Sequence, residues 1–175
     1  MKYNRIFKDL PIYCVENFLK NDNTINESIT HSIEHFNANR NLLQFGYNMP
    51  INTEVGVFNT LNKKFVDLLK KFDGKDYTIG RDESMYYLMV CNEDYCPINW
   101  HNHSMTSNMV GVYYLEVPDD MTGGHILFEE REKVYKYLPK KNNLIFFPNF
   151  VNHTTTYIER KDFRISVNME AIRKQ

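Results

Sequence analysis

The sequence predicts an α+β fold with a mainly β core: a double-stranded β-helix, or jelly roll, with N-terminal helices packed on one face. Two observations support this prediction. Residues 1–80 contain two segments whose apolar side chains recur at helical spacing. Residues 81–175 contain about eight short strand-like runs separated by turn residues. Many short strands with regular turns are typical of double-sheet and barrel architectures.

Length and composition favour one packed domain spanning residues 1–175. A hydrophobic content of 42% in 175 residues is enough for a sizeable core. The formal net charge is −1 and no block of like charges occurs, which disfavours nucleic acid or a membrane surface as partner. No signal-peptide pattern or membrane-spanning apolar run is present, so a cytoplasmic location is expected, in the host cytoplasm if the chain is phage-encoded.

The N-terminal part is predicted to contain a short edge strand followed by two helices. The first helix begins at Thr24, which has the spacing of a capping box with Glu27. The second helix covers about residues 54–72 and ends at Asp73-Gly74. Its apolar residues form one stripe and its lysines lie off that stripe, so we expect it to pack on the core.

The C-terminal part is predicted to be a set of strands joined by turns. Val, Ile, Tyr and Phe residues between Gly, Pro, Asn and Asp signals define them. The predicted strands are 84–91, 99–103, 109–117, 125–129, 133–138, 143–147, 153–158 and 163–169.

Three histidines of this part are predicted to form a metal site. Side chains alternate along a strand, so His101 and His103 project from the same side. His153, after an apolar run and a proline turn, is the best third ligand. Imidazole binds Zn, Cu, Fe and Ni, so the pair alone does not identify the metal, and a catalytic zinc site remains open. His125 is predicted to face substrate or the surface rather than to be a fourth ligand.

Arg164 is predicted to bind an anion inside the fold. It alternates with the apolar residues Phe163 and Ile165, so it points to one face of an otherwise apolar strand. A buried guanidinium needs an anionic partner, and its planar fork suits a carboxylate. That carboxylate belongs either to a ligand or to Glu159 or Asp162 in an ordinary salt bridge.

The H-x-H pair, the distant histidine and the arginine after it resemble, in this order, the 2-oxoglutarate and Fe(II)-dependent oxygenases. The resemblance is to the prolyl-hydroxylase-like branch, especially its phage and bacterial members. It runs from about Ser84 to Ile172 and includes Gly111-Val112-Tyr113-Tyr114-Leu115 and the Gly123-Gly124 turn. His103 departs from the family pattern, which has Asp or Glu there. This imidazole leaves the site one negative charge short.

The resemblance implies Fe(II) at the three histidines, 2-oxoglutarate as cosubstrate and O2 as oxidant. It also implies four residues that bind the cosubstrate. Arg164 and Tyr114 would contact its distal carboxylate, and Ser166 would add a hydroxyl contact. Asn92 would contact the metal-binding end. Tyr113 must face the opposite side of its strand, so only one of the two tyrosines can take part.

The implied activity is hydroxylation of a small-molecule or peptide substrate, such as a prolyl residue. Two other classes remain open. One is a cupin-type metalloenzyme that uses three histidines without 2-oxoglutarate, although a cupin normally has a glutamate soon after its H-x-H pair and residues 104–109 contain none. The other is a nonenzymatic jelly-roll binding module. The sequence indicates neither the substrate nor the oligomeric state.

Overall fold

The computed structural model of the chain describes residues 2–20, 23–39, 49–52, 57–80, 85–91, 99–159 and 163–175. These ranges contain two helices, α1 (Asn23–Asn39) and α2 (Phe58–Asp73). The strands are β1 (Asn4–Arg5), β2 (Tyr13–Val15), β3 (Met49–Asn52), β4 (Tyr77–Ile79), β5 (Met85–Cys91), β6 (Met109–Glu116), β7 (Ile126–Glu130), β8 (Lys133–Tyr137), β9 (Leu144–Pro148), β10 (Asn152–Thr155) and β11 (Arg164–Arg173). Neither helix is long and apolar enough to cross a membrane, among the residues described.

The strands form two antiparallel sheets of unequal size. The large sheet has the order β1-β2-β9-β6-β11-β5-β3, with β4 also paired to β11. The small sheet has the order β10-β7-β8. The small sheet covers one face of the large sheet and the helices cover the other. This architecture confirms the predicted double-stranded β-helix with helices on one face.

Side-chain alternation gives the large sheet a separate apolar layer on each face. On the helix side, Phe65 and Leu69 of α2 pack in one cluster with Tyr113 and other residues of β6, β9 and β11. On the opposite side, which we call the inner face, Tyr114 packs in a second cluster with Phe128 of the small sheet. The two adjacent tyrosines therefore point to opposite faces, as the alternation predicts.

Helix α2 has the apolar stripe and the C-terminal stop that its sequence predicts. Phe58, Leu61, Phe65 and Leu69 are each 0% exposed. Gly74 adopts the left-handed conformation (φ 75°), and its N–H donates to the carbonyl of Lys70 at 3.0 Å. The helix begins at Phe58, later than predicted, and residues 53–56 lie outside the described part of the chain.

Three predicted strands end more than one residue from their predicted bounds, and one of them, 153–158, ends at Thr155 as β10. The predicted strand 99–103 is reduced to a single bridge between His101 and His153. Strand β11 continues to Arg173, because β4 pairs with its residues Ala171 to Arg173. Residues 1–80 contribute β1 to β4 to the large sheet as well as the two helices.

Candidate metal centre

Backbone pairing brings the three predicted histidines together at one end of the small sheet. His101 and His153 exchange two backbone hydrogen bonds of 3.1 and 2.9 Å, and the N–H of His103 donates to the carbonyl of Asn149 at 2.8 Å. The side-chain nitrogens available as ligands from His101, His103 and His153 all lie within 4.8 Å of one another. Within the described ranges this is the one such group of His, Cys, Asp or Glu residues.

Backbone carbonyls fix the tautomer of two of these histidines. The Nδ1 atom of His101 contacts the carbonyl of Asn99 at 2.8 Å, and Nδ1 of His153 contacts the carbonyl of Val151 at 3.1 Å. A carbonyl only accepts a hydrogen bond, so each Nδ1 carries the proton. Each Nε2 then has a free lone pair, which is the arrangement that a metal-binding histidine requires.

The third histidine has a carboxylate partner. Nδ1 of His103 donates to Oε1 of Glu170 at 3.1 Å, with side-chain exposures of 17% and 10%. Glu170 was not singled out by the sequence, because the predicted last strand ended one residue before it. The signal that could have found it is the alternation of β11. Glu170 is six positions after Arg164 and therefore on the same face of the strand.

Burial favours the neutral form of His101 and His153, which a metal ligand requires. Burial lowers the pKa of His153 to about 3, and the nearby charge of His101 acts in the same direction. Burial also lowers the pKa of His101, against the hydrogen bond to Asn99, which raises it. These two imidazoles therefore present lone pairs at neutral pH without first losing a proton. Three imidazole nitrogens grouped this closely fit a divalent transition metal such as Fe(II).

We expect the metal-free protein to lose stability as the pH falls from 7 to 5. Unfolded His153 takes up a proton below about pH 6.5, whereas the folded form resists protonation down to about pH 3. The unfolded state thus binds more protons, so the free energy of unfolding decreases with falling pH, for this group by roughly 2 kcal/mol between pH 7 and pH 5. Urea unfolding in the presence of a chelator, compared with His153→Gln, measures this. An equal pH dependence in both proteins would contradict it.

Arg164 is fully buried on the inner face. Its exposure is 0%, and its Nη1 donates to the carbonyl of Gly124 at 2.7 Å. Ser166 and Tyr114 are 2% and 1% exposed and lie directly opposite each other in the β11–β6 ladder. The structure therefore places three of the four predicted cosubstrate residues on one buried surface.

The remaining predictions for this region fall partly outside the described residues. Asn92 and Asp162 both lie outside the described residues. Glu159, the other salt-bridge partner considered for Arg164, is exposed at the surface.

The register of the small sheet relates the arginine to the histidines. His153 lies opposite Phe128 in the β10–β7 pair, and the same register continues to a bridge at Gly123. Gly124, which accepts the hydrogen bond from Arg164, comes four residues before Phe128 in the chain. The guanidinium and the three imidazoles thus lie on the same side of the large sheet, the side that the small sheet covers.

The Gly123-Gly124 turn that holds Arg164 depends on glycine. Gly123 has φ +80°, and a Cβ there would overlap the carbonyl oxygen of Tyr157. We expect Gly123→Ala to lower the free energy of unfolding by about 2–4 kcal/mol, since it combines a left-handed backbone with a backbone clash. Gly74→Ala is the matched control: its φ is +75° but no atom lies within 4 Å of the new Cβ. Urea unfolding should show a much smaller loss for this control.

The other histidines lie outside the three-histidine group. His125 is partly exposed, and its backbone N–H donates to Oγ1 of Thr156 at 2.9 Å. Burial lowers its pKa, as do the charges of Lys136 and Arg164. On α1, the rings of His31 and His35 are 6.4 Å apart.

Comparisons with known proteins identify the fold. No protein-family model matches the sequence, and a search of curated proteins gives no match. Among solved structures, a prolyl hydroxylase from Trichoplax adhaerens, in complex with a peptide fragment of the hypoxia inducible factor oxygen degradation domain, has a TM-score of 0.69 at 14% identity, covering 94% of this chain and 84% of its own. The viral collagen prolyl hydroxylase of Paramecium Bursaria Chlorella virus-1, as a 2OG complex, has a TM-score of 0.69 at 15% identity, covering 98% and 100%.

A third similar structure has a different activity on the same fold. The non-heme alpha ketoglutarate dependent epimerase SnoN from nogalamycin biosynthesis has a TM-score of 0.65 at 10% identity, covering 93% of this chain and 77% of its own. At identities of this size the likeness establishes the fold, which is that of solved 2-oxoglutarate oxygenases, and the function must be argued from the site.

Proposed function

We propose that the chain is a 2-oxoglutarate and Fe(II)-dependent dioxygenase that hydroxylates a small-molecule or peptide substrate. The observation that carries this proposal is a three-imidazole group and a fully buried arginine on the same side of the large sheet. The fold, which is shared with prolyl hydroxylases, supports the same conclusion.

Arg164 favours this function over the three-histidine alternatives. A hydrolytic zinc site or a cupin site without 2-oxoglutarate would not require a buried guanidinium on this side of the sheet. Arg164, which is fully buried, would bind the second carboxylate of a dicarboxylate held at the histidines, because a buried guanidinium interacts strongly with a carboxylate. The hydroxyls of Tyr114 and Ser166 are the further donors expected at that end.

The residues of the chain position the reactants and exclude water. Bound Fe(II), with 2-oxoglutarate and O2, supplies the oxidative chemistry that protein side chains lack. His101, His103 and His153 would hold the metal ion. The ring of His153 packs 4.9 Å from that of Phe147 and 6.4 Å from that of Phe128, so apolar side chains wall this side of the site.

Exposed apolar side chains next to the histidines are candidates for substrate contact. Trp100 is 41% exposed, Met105 is 96% exposed and Phe150 is 60% exposed, and each is within three residues of a candidate ligand. Apolar side chains left in solvent beside a site commonly mark a binding surface. They suit an apolar or peptide substrate, with a prolyl residue as the first candidate.

The cytoplasmic location stays a prediction.

Turnover of 2-oxoglutarate tests the proposed function. We expect the protein with Fe(II) and O2 to convert 2-oxoglutarate into succinate, at a rate that increases when a substrate is added. The matched control is His153→Ala, which lacks one metal ligand. Succinate formation no greater than that of the control, over a range of candidate peptides and small molecules, would contradict the proposal.

A further inference from the structure

The candidate metal site lacks the negative charge that its fold usually places on the metal. Three neutral imidazoles contribute none, and His103 occupies the position where the resemblance expects a carboxylate. A divalent ion bound by neutral ligands alone in a buried site keeps its full charge, which is costly in a low-dielectric surrounding.

A carboxylate is nevertheless present, in contact with one of the three candidate ligands. Oε1 of Glu170 accepts a hydrogen bond from Nδ1 of His103 at 3.1 Å. The corresponding partners of His101 and His153 are backbone carbonyls, which are neutral. Glu170 does not belong to the ligand group itself. Glu170 therefore contacts His103, the one histidine that replaces the usual carboxylate.

Glu170 lies on an interior strand of the large sheet, β11, which pairs with neighbours on both sides. Glu170 lies opposite Val110 in the β11–β6 ladder, and its backbone carbonyl accepts a hydrogen bond from the N–H of Gly80 at 2.7 Å. Its side chain is 10% exposed. A carboxylate held this firmly can fix both the ring orientation and the tautomer of His103, so that Nε2 points to the metal.

We propose that Glu170 is a positioning residue that acts through His103. The His103–Glu170 pair takes the place of the carboxylate ligand, and the charge of Glu170 acts on the metal through the imidazole of His103. This inference rests on the proposed metal site and explains how that site works with an H-x-H pair. A carboxylate bonded to a ligating imidazole makes its other nitrogen a stronger electron donor. The pair thereby offers the metal part of the negative charge that the third imidazole lacks.

Metal affinity measured without 2-oxoglutarate tests this inference. We expect Glu170→Gln, which keeps size and removes charge, to weaken Mn(II) binding by about 10–100-fold in anaerobic calorimetric titrations. Glu116→Gln is the matched control, since that carboxylate pairs with Lys141 at 2.7 Å at the far end of β6. It should bind Mn(II) as the native protein does. Native-like affinity in Glu170→Gln would overturn the inference.

The same substitution made in a His103→Asp variant distinguishes a role of Glu170 through His103 from a merely structural role. His103→Asp places a carboxylate directly on the metal, so Glu170 then has no imidazole to act through. In that background we expect Glu170→Gln to leave Mn(II) affinity unchanged or to raise it, because two neighbouring carboxylates repel. The same 10–100-fold loss in both backgrounds would overturn the inference and assign Glu170 a general structural effect.

The result for the native chain separates the two proposals. If native protein binds Mn(II) and Glu170→Gln binds it equally well, the role of Glu170 is refuted and the proposed function stands. If native protein binds no divalent metal, both are refuted. If metal binding and its dependence on Glu170 are found but no 2-oxoglutarate is consumed, only the proposed function fails. Thermal melting of the metal-free variants checks that each is folded.

Discussion

Replacing Arg164 by methionine is expected to weaken 2-oxoglutarate binding to the metal-loaded protein by about 100-fold or more. The side chain is 0% exposed, so its charge interacts with a bound carboxylate with little screening by solvent. Loss of two charge-assisted hydrogen bonds, each worth about 1.5–3 kcal/mol, corresponds to an effect of this size. Methionine retains most of the volume, which limits the damage to packing. Calorimetric titration of the Mn(II)-loaded protein under anaerobic conditions measures the affinity.

Two further variants make the arginine test specific. Arg5→Met is the matched control, because Arg5 also donates to a backbone carbonyl, that of Leu10 at 2.9 Å, but at an exposed position. It should bind 2-oxoglutarate as the native protein does. Arg164→Lys keeps the charge without the planar fork and should give an intermediate affinity. An affinity of Arg164→Met within threefold of native would show that this arginine serves the fold alone.

Removing one histidine of the group is expected to have the largest effect on metal binding. We expect His153→Ala to weaken Mn(II) binding by more than about 100-fold, since loss of an outer partner of a ligand alone typically costs 10–100-fold. His125→Ala is the matched control, because His125 lies outside the group of ligand atoms. Metal titrations of both variants measure the difference. Equal affinities in the two variants would refute the metal centre.

The fold was predictable because the relevant signals are local. The stripe of α2 and its stop at Gly74 depend on spacing within one helix, and both are confirmed. The opposite orientations of Tyr113 and Tyr114 follow from strand alternation in the same way. The convergence of His101, His103 and His153 was predicted mainly by resemblance to a family, since spacing alone brings together only the first two.

The parts that escaped prediction depend on contacts between distant segments. The extension of β11 to Arg173 results from pairing with β4, which lies about ninety residues earlier in the chain. Glu170 lies one residue beyond the predicted end of the strand, where β11 still pairs with β6, and its partner His103 is separated from it by 67 residues. The predicted strand 99–103 is likewise reduced to one bridge, which joins His101 to His153 of the distant strand β10. No periodicity within a single segment contains this information.

Thermal melting of the anaerobic protein with Mn(II), with and without 2-oxoglutarate, tests the central claim most directly. A ligand that binds only the folded state raises the melting temperature through mass action. We predict that Mn(II) raises it, that 2-oxoglutarate raises it further only when Mn(II) is present, and that Arg164→Met abolishes the second increase while retaining the first. Stabilisation by Mn(II) with no response to 2-oxoglutarate in the native protein would contradict the oxygenase assignment.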